Sequence, residues 1–137
     1  MILENKHESG SNQKNDRKIY LAMREMDVQA FTVNFAEEAT FEDPAVTPVR
    51  HGKAKIGEFL EGILSLTGEF GLTENQIFVS ADTAAVKWTG NGTTKNGQPF
   101  EFEGIDIFEF NEDGLIRSLR AIWDAAPVMA ILTEQQQ

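Results

Sequence analysis

Asp106 stands inside the run Phe100-Glu101-Phe102-Glu103-Gly104-Ile105-Asp106-Ile107-Phe108-Glu109-Phe110, and side chains alternate across a strand. One face therefore carries Phe100, Phe102, Gly104, Asp106, Phe108 and Phe110, while the other carries Glu101, Glu103, Ile105, Ile107 and Glu109. A carboxyl among phenyl rings is costly to ionise. Its pKa should rise, and a neutral carboxylic acid can donate a hydrogen bond. The simpler alternative is a buried aspartate satisfied by a backbone N–H or a structural water.

Asp43 lies in Ala39-Thr40-Phe41-Glu42-Asp43-Pro44. Proline favours an extended predecessor, which puts Ala39, Phe41 and Asp43 on one face, opposite Thr40 and Glu42. An ionised carboxylate at the wall that Phe41 lines has the chemistry of a general base; Asp-Pro is also a common turn opener. Tyr20 is the only tyrosine. Its ring can fill core space while its hydroxyl reaches a pocket, although packing alone also explains it. His51, before Gly52, belongs to the loop entering a helix and receives no role. Trp88 and Trp123 read as core or pocket wall, and Trp123 alternates with Leu119 and Ala121 on one strand face.

These side chains need elements to hold them. Ile19, Met23 and Met26 recur at i, i+4, i+7, as on one face of a helix. Asp27 has the character of an N-cap for a second helix, with Val28, Phe31 and Phe35 as its stripe. A third helix is expected from Lys53 to Leu64, burying Ile56, Phe59, Leu60 and Ile63. The period then changes. Gln76 to Ser80, Ala84 to Thr94, Pro99 to Phe110 and Leu115 to Asp124 read as strands, joined by the turns Lys95-Asn96-Gly97 and Asn111-Glu112-Asp113-Gly114. Helices followed by an antiparallel meander predict an α+β fold, with helices packed on one sheet face around an apolar pocket. A short helix from Pro127 to Leu132 would close the open end.

Composition narrows the function. The 137 residues suffice for one domain and one core, expected over residues 16–132 with tails at 1–15 and 133–137. Cysteine is absent, which excludes disulfides, thiolate nucleophiles and Cys-based metal sites. Two histidines make no recognisable His-based metal motif, and no cofactor is expected. A net charge of −10 at pH 7, without a basic stripe, argues against nucleic acid as a partner. No apolar run reaches the roughly 20 residues of a membrane span. The first residues lack the apolar run and cleavage site of a secretory signal, so the expected location is the cytoplasm.

The segment Phe35-Ala36-Glu37-Glu38-Ala39-Thr40-Phe41-Glu42-Asp43-Pro44, followed by His51-Gly52, resembles the general-base segment of bacterial ketosteroid isomerases. The run Asn96-Gly97-Gln98-Pro99, then Ile105-Asp106, Asp113-Gly114 and Trp123, is similar to their last two strands. The resemblance spans Tyr20 to Trp123 and places the chain in the NTF2-like superfamily, with the SnoaL-type polyketide cyclases. It implies an NTF2-like cone: a curved, mostly antiparallel sheet wrapped around N-terminal helices. Asp43 would take a proton α to a ketone and return it to another carbon of the dienolate. Tyr20 and protonated Asp106 would hydrogen-bond the oxyanion, as a carboxyl kept neutral by its apolar surroundings does in the ketosteroid isomerases. Phe41, Phe59, Phe102, Phe108, Leu119 and Trp123 would contact a hydrophobic ligand, steroid or polyketide-like, and two copies would form a homodimer through the outer sheet face.

Two departures matter. Matching Tyr20 requires a one-residue gap between the first two helices. The positions of the supporting tyrosines are Phe35 and Leu60, which carry no hydroxyl, so weaker activity is implied. A SnoaL-like cyclase or lyase, and a non-catalytic protein that binds an apolar ligand, are the alternative functions. Epoxide hydrolysis as in limonene-type relatives would want an arginine where Gly104 stands.

Overall fold

A computed structural model describes residues 17–45 and 47–134; the tail expected over residues 1–15 lies outside them. The described helix α1 covers residues 17–24 and buries Ile19, Tyr20, Ala22 and Met23. Met26 does not extend its stripe: it takes the left-handed φ of 57° just beyond the helix and is partly exposed. Helix α2, Val28–Thr32, is capped by Asp27, whose carboxylate accepts from the Ala30 N–H at 3.0 Å. The expected stripe through Phe35 breaks at Asn34. Its side-chain amide donates to the Ala30 and Phe31 carbonyls at 2.8 and 3.2 Å, capping two carbonyls of the last turn where the helix ends. Phe35 instead opens a strand.

That strand, β1 (Phe35–Glu42), leads through β2 (Arg50–His51) into helix α3 (Lys53–Leu66). Four long strands follow, β3 (Thr67–Ser80), β4 (Thr83–Thr94), β5 (Pro99–Phe110) and β6 (Ile116–Trp123), before helix α4 (Ala125–Glu134). The six strands form one sheet in the order β2-β1-β6-β5-β4-β3. All pairs are antiparallel except β1 with β6. Gly97, at φ 86°, makes the expected hairpin turn between β4 and β5.

Strand β3 begins at Thr67, nine positions before the expected Gln76. Gly68 and Gly71 weaken the local strand signal, but Thr67 to Thr73 pairs with the far half of β4; cross-strand pairing decides where propensity does not. Helix α4 likewise runs past the expected Leu132, through Thr133 and Glu134. The concave sheet face, α1, α2 and α3 enclose one core containing Trp88, Phe35, Phe41 and Phe108, and a second cluster joins α4 to Phe100. Among the described residues no helix is long and apolar enough to cross a membrane.

Candidate active site

Strand β5 keeps the expected alternation: Phe100, Asp106, Phe108 and Phe110 are buried, whereas Glu101, Glu103 and Ile105 are exposed. Asp106 retains 3% of its surface. It is paired in register with Val86 of β4 and Ala121 of β6, so both flanking neighbours are apolar. The Tyr20 hydroxyl donates to Asp106 Oδ2 at 2.6 Å. Burial pushes the Asp106 carboxyl up to about 7, against smaller lowering effects from the Tyr20 hydroxyl and the nearby Trp88 indole N–H. The Trp88 N–H lies close to this carboxyl, but it makes no hydrogen bond of normal distance and angle and is buried without a partner.

Asp43 follows directly on β1, half-buried before Pro44. The Trp123 indole N–H donates to Asp43 Oδ1 at 2.6 Å. Desolvation above all, and after it the Asp106 charge, push the Asp43 carboxyl up, and with every influence counted it stands at about 8. Trp123 and the Arg50 guanidinium pull it back. Arg50 comes from β2 and lies over the Phe59 ring, 4.6 Å from its centroid, with Nη1 buried and unpartnered.

Both carboxylates line one apolar cavity of about 50 Å³. Of the other expected contacts, Phe41, Phe59, Phe102, Leu119 and Trp123 also line it. Phe108 does not. It is fully buried behind the cavity, edge-on to Tyr20 with ring centroids 6.3 Å apart. Tyr20 is not in the cavity wall either; α1 sets its ring behind Asp106, with the hydroxyl directed to that carboxylate. The two carboxylates and the tyrosine therefore come together in series: Tyr20, Asp106, cavity, Asp43. His51 is exposed and takes no part.

Three contributors escaped the sequence reading. Val128, Met129 and Leu132 of α4 line the cavity; the expected short apolar helix was the signal for them. Trp88 was legible only as wall. Arg50 carried no signal, because nothing local distinguishes it from a solvated loop arginine.

Residues 17–119 match the SnoaL-like domain. The chain belongs to the SnoaL-like family. A steroid Delta-isomerase from Nocardioides simplex is 35% identical over 95 residues, covering 69% of this chain and 74% of that one. Among solved structures, the SnoaL-like chain is similar to the epoxide hydrolase/cyclase-like enzyme SalBIII of pyran ring formation in polyether salinomycin. That match has a TM-score of 0.74 at 24% identity and covers 82% of this chain and 90% of the other. It is also similar to an NTF2-like protein of unknown function from Burkholderia pseudomallei, with a TM-score of 0.78 at 17% identity over 90% and 98% of the two chains. A Mycobacterium tuberculosis protein in complex with estradiol-17beta-hemisuccinate gives a TM-score of 0.75 at 19% identity, over 83% and 94%. At these identities the solved structures establish the NTF2-like fold of the SnoaL-like chain and no more.

Proposed function

We propose that this SnoaL-like protein is a ketosteroid-isomerase-like enzyme that moves a double bond in a hydrophobic ketone through a dienolate. One observation carries the reading: two carboxylates, Asp43 and Asp106, face one apolar cavity with both pKa values raised towards neutrality. Near neutral pH such a pair shares a proton. The higher Asp43 value puts that proton mainly on Asp43, so the reactive form, with Asp43 ionised and Asp106 protonated, is the minor arrangement of the singly protonated pair. Asp43 removes the proton α to the carbonyl, and Asp106 hydrogen-bonds the oxygen as it gains charge, a contact stronger in the transition state than in the ground state. Tyr20 acts from behind, holding the Asp106 carboxyl in place through their hydrogen bond. Trp123 holds Asp43. The steroid Delta-isomerase relative supports this choice of substrate class.

Incubation with a β,γ-unsaturated 3-ketosteroid tests the reading by the appearance of conjugated enone absorbance. A rate above buffer that Asp43→Asn abolishes is expected; an equal rate in that variant, or none in the wild type, sinks it. The place of Tyr20 behind Asp106 rather than in the cavity wall favours a second reading, in which the cavity holds an apolar ligand without turnover. Saturable binding with no enone formed would select that one.

We also infer a homodimer. Ile105 and Ile122, paired in register, are 41% and 48% exposed on the convex face. Phe78, in the row linked through Ala85 to Ile107, is 65% exposed.

A further inference from the structure

Gly104 pairs in register with Trp88 on one side and Trp123 on the other. A Cβ at this position would fall 2.5 Å from Trp88 Cζ2 and 2.8 Å from Trp123 Cβ. The missing side chain is thus the space that the Trp88 indole occupies, two residues along the strand from Asp106. The two indoles stand nearly edge to face, with centroids 6.4 Å apart, and both line the cavity. Their N–H groups have different fates. That of Trp123 is taken by Asp43; that of Trp88 is buried near Asp106 without a hydrogen bond of normal distance and angle. Buried donors without good partners are rare in folded proteins, and this one belongs to an indole that lines the cavity and lies beside the Asp106 carboxyl.

We propose that the Trp88 indole N–H is a hydrogen-bond donor for the ligand, gripping the same oxygen as Asp106. The ligand class is accordingly an apolar ring system whose carbonyl, phenol or enolate oxygen accepts from two donors at the buried end of the cavity. Trp88 supplies the donor that the geometry does not obtain directly from Tyr20, whose hydroxyl is directed to Asp106. The inference deepens the isomerase reading by adding a contact to its oxygen, but it needs only that the cavity take an oxygen-bearing ligand.

Trp88 and Trp123 are the two tryptophans of the chain, so indole-15N labelling of the full protein gives two indole signals, assigned with Trp88→Phe and Trp123→Phe. On titration with the steroid phenol equilenin, the Trp88 indole proton should move downfield as it gains an acceptor. A Trp88 signal unmoved at saturation, or no saturable binding, overturns the proposal. Trp88→Phe keeps a ring and removes the N–H. It should cut the preference for equilenin over the same ring system without its hydroxyl by about tenfold, the worth of one hydrogen bond. Equal weakening of both ligands would mean packing alone and would refute the donor role. Enone formation is scored separately. A shifted Trp88 signal without turnover supports the donor while sinking the isomerase; turnover with an unmoved signal does the reverse.

Discussion

Burial raises the Asp43 and Asp106 carboxyls to about 8 and about 7, and in the proposed mechanism the reactive form is the one holding a single proton. The profile of kcat/KM against pH should therefore be a bell with its maximum between those values. Asp106→Asn should remove the alkaline limb and leave one titration, that of Asp43, below about 8, because the Asp106 charge is one cause of the raised Asp43 value. Asp43→Asn should cost roughly 10²–10⁴-fold in rate, the usual worth of a positioned base. Arg50→Gln should move the acid limb upward, since the guanidinium lowers the Asp43 pKa. The same shifts set stability. A carboxyl raised in the folded state contributes fully below its unfolded value of about 3.9 and loses that contribution as pH climbs through the folded value. Denaturant melts should show stability falling from about pH 4 to pH 8, with Asp106 contributing at most about 1.4 kcal/mol per pH unit. The Asp43→Asn/Asp106→Asn double variant should flatten the dependence; a wild-type protein most stable at pH 8 would contradict it.

Strands β4, β5 and β6 hold the site by register, and at Gly104 that register leaves no room for a side chain. Besides the two tryptophans, an added Cβ would meet the Ile122 carbonyl at 2.7 Å, and backbone does not yield as a side-chain tip does. Gly104→Ala should destabilise the protein by about 1–3 kcal/mol, typical of overpacking, measured by chemical denaturation. It should also quench activity by displacing Trp88 and Trp123 together. Helix α4 is the other controlling element. A cavity of about 50 Å³ holds a few waters, against roughly 300–1,000 Å³ for sites of drug-sized ligands. We predict that admission of a ligand of steroid size moves Val128, Met129 and Leu132 outward. Hydrogen exchange across Ala125–Glu134 should change on equilenin binding while the centre of β5 stays protected. An unaltered α4 would show that the ligand does not pass beneath it.

At the scale of the molecule, the convex sheet face joins Ile105, Ile122 and Phe78 with charged neighbours. Apolar rows of this kind are normally covered. Each copy carries a net charge of −10, so two copies repel, and salt screens that repulsion. Sedimentation equilibrium should find a dimer that tightens as ionic strength rises. Ile122→Lys should give a folded monomer with an intact cavity; a dimer unaffected by that change would move the interface elsewhere.

Much of this protein was legible without coordinates, for a local reason. Strand alternation has a period of two residues, so the run from Phe100 to Phe110 by itself put Asp106 among phenyl rings and the glutamates outside. The Asp27 cap and the turn at Gly97 are also set by residues within a few positions of each other. What the sequence could not fix depends on partners far along the chain. The start of β3 was decided by pairing with β4, and the end of α2 is capped by the Asn34 side chain folding back. Tyr20 and Asp106, 86 positions apart, met only when α1 packed on the sheet, and that packing put the tyrosine behind the carboxyl. The row Trp88, Gly104, Trp123 exists only in the aligned register of three strands. The sequence determined that a carboxyl would be buried; tertiary structure decided which donors reach it, because hydrogen bonds depend on positions in space that no local period encodes.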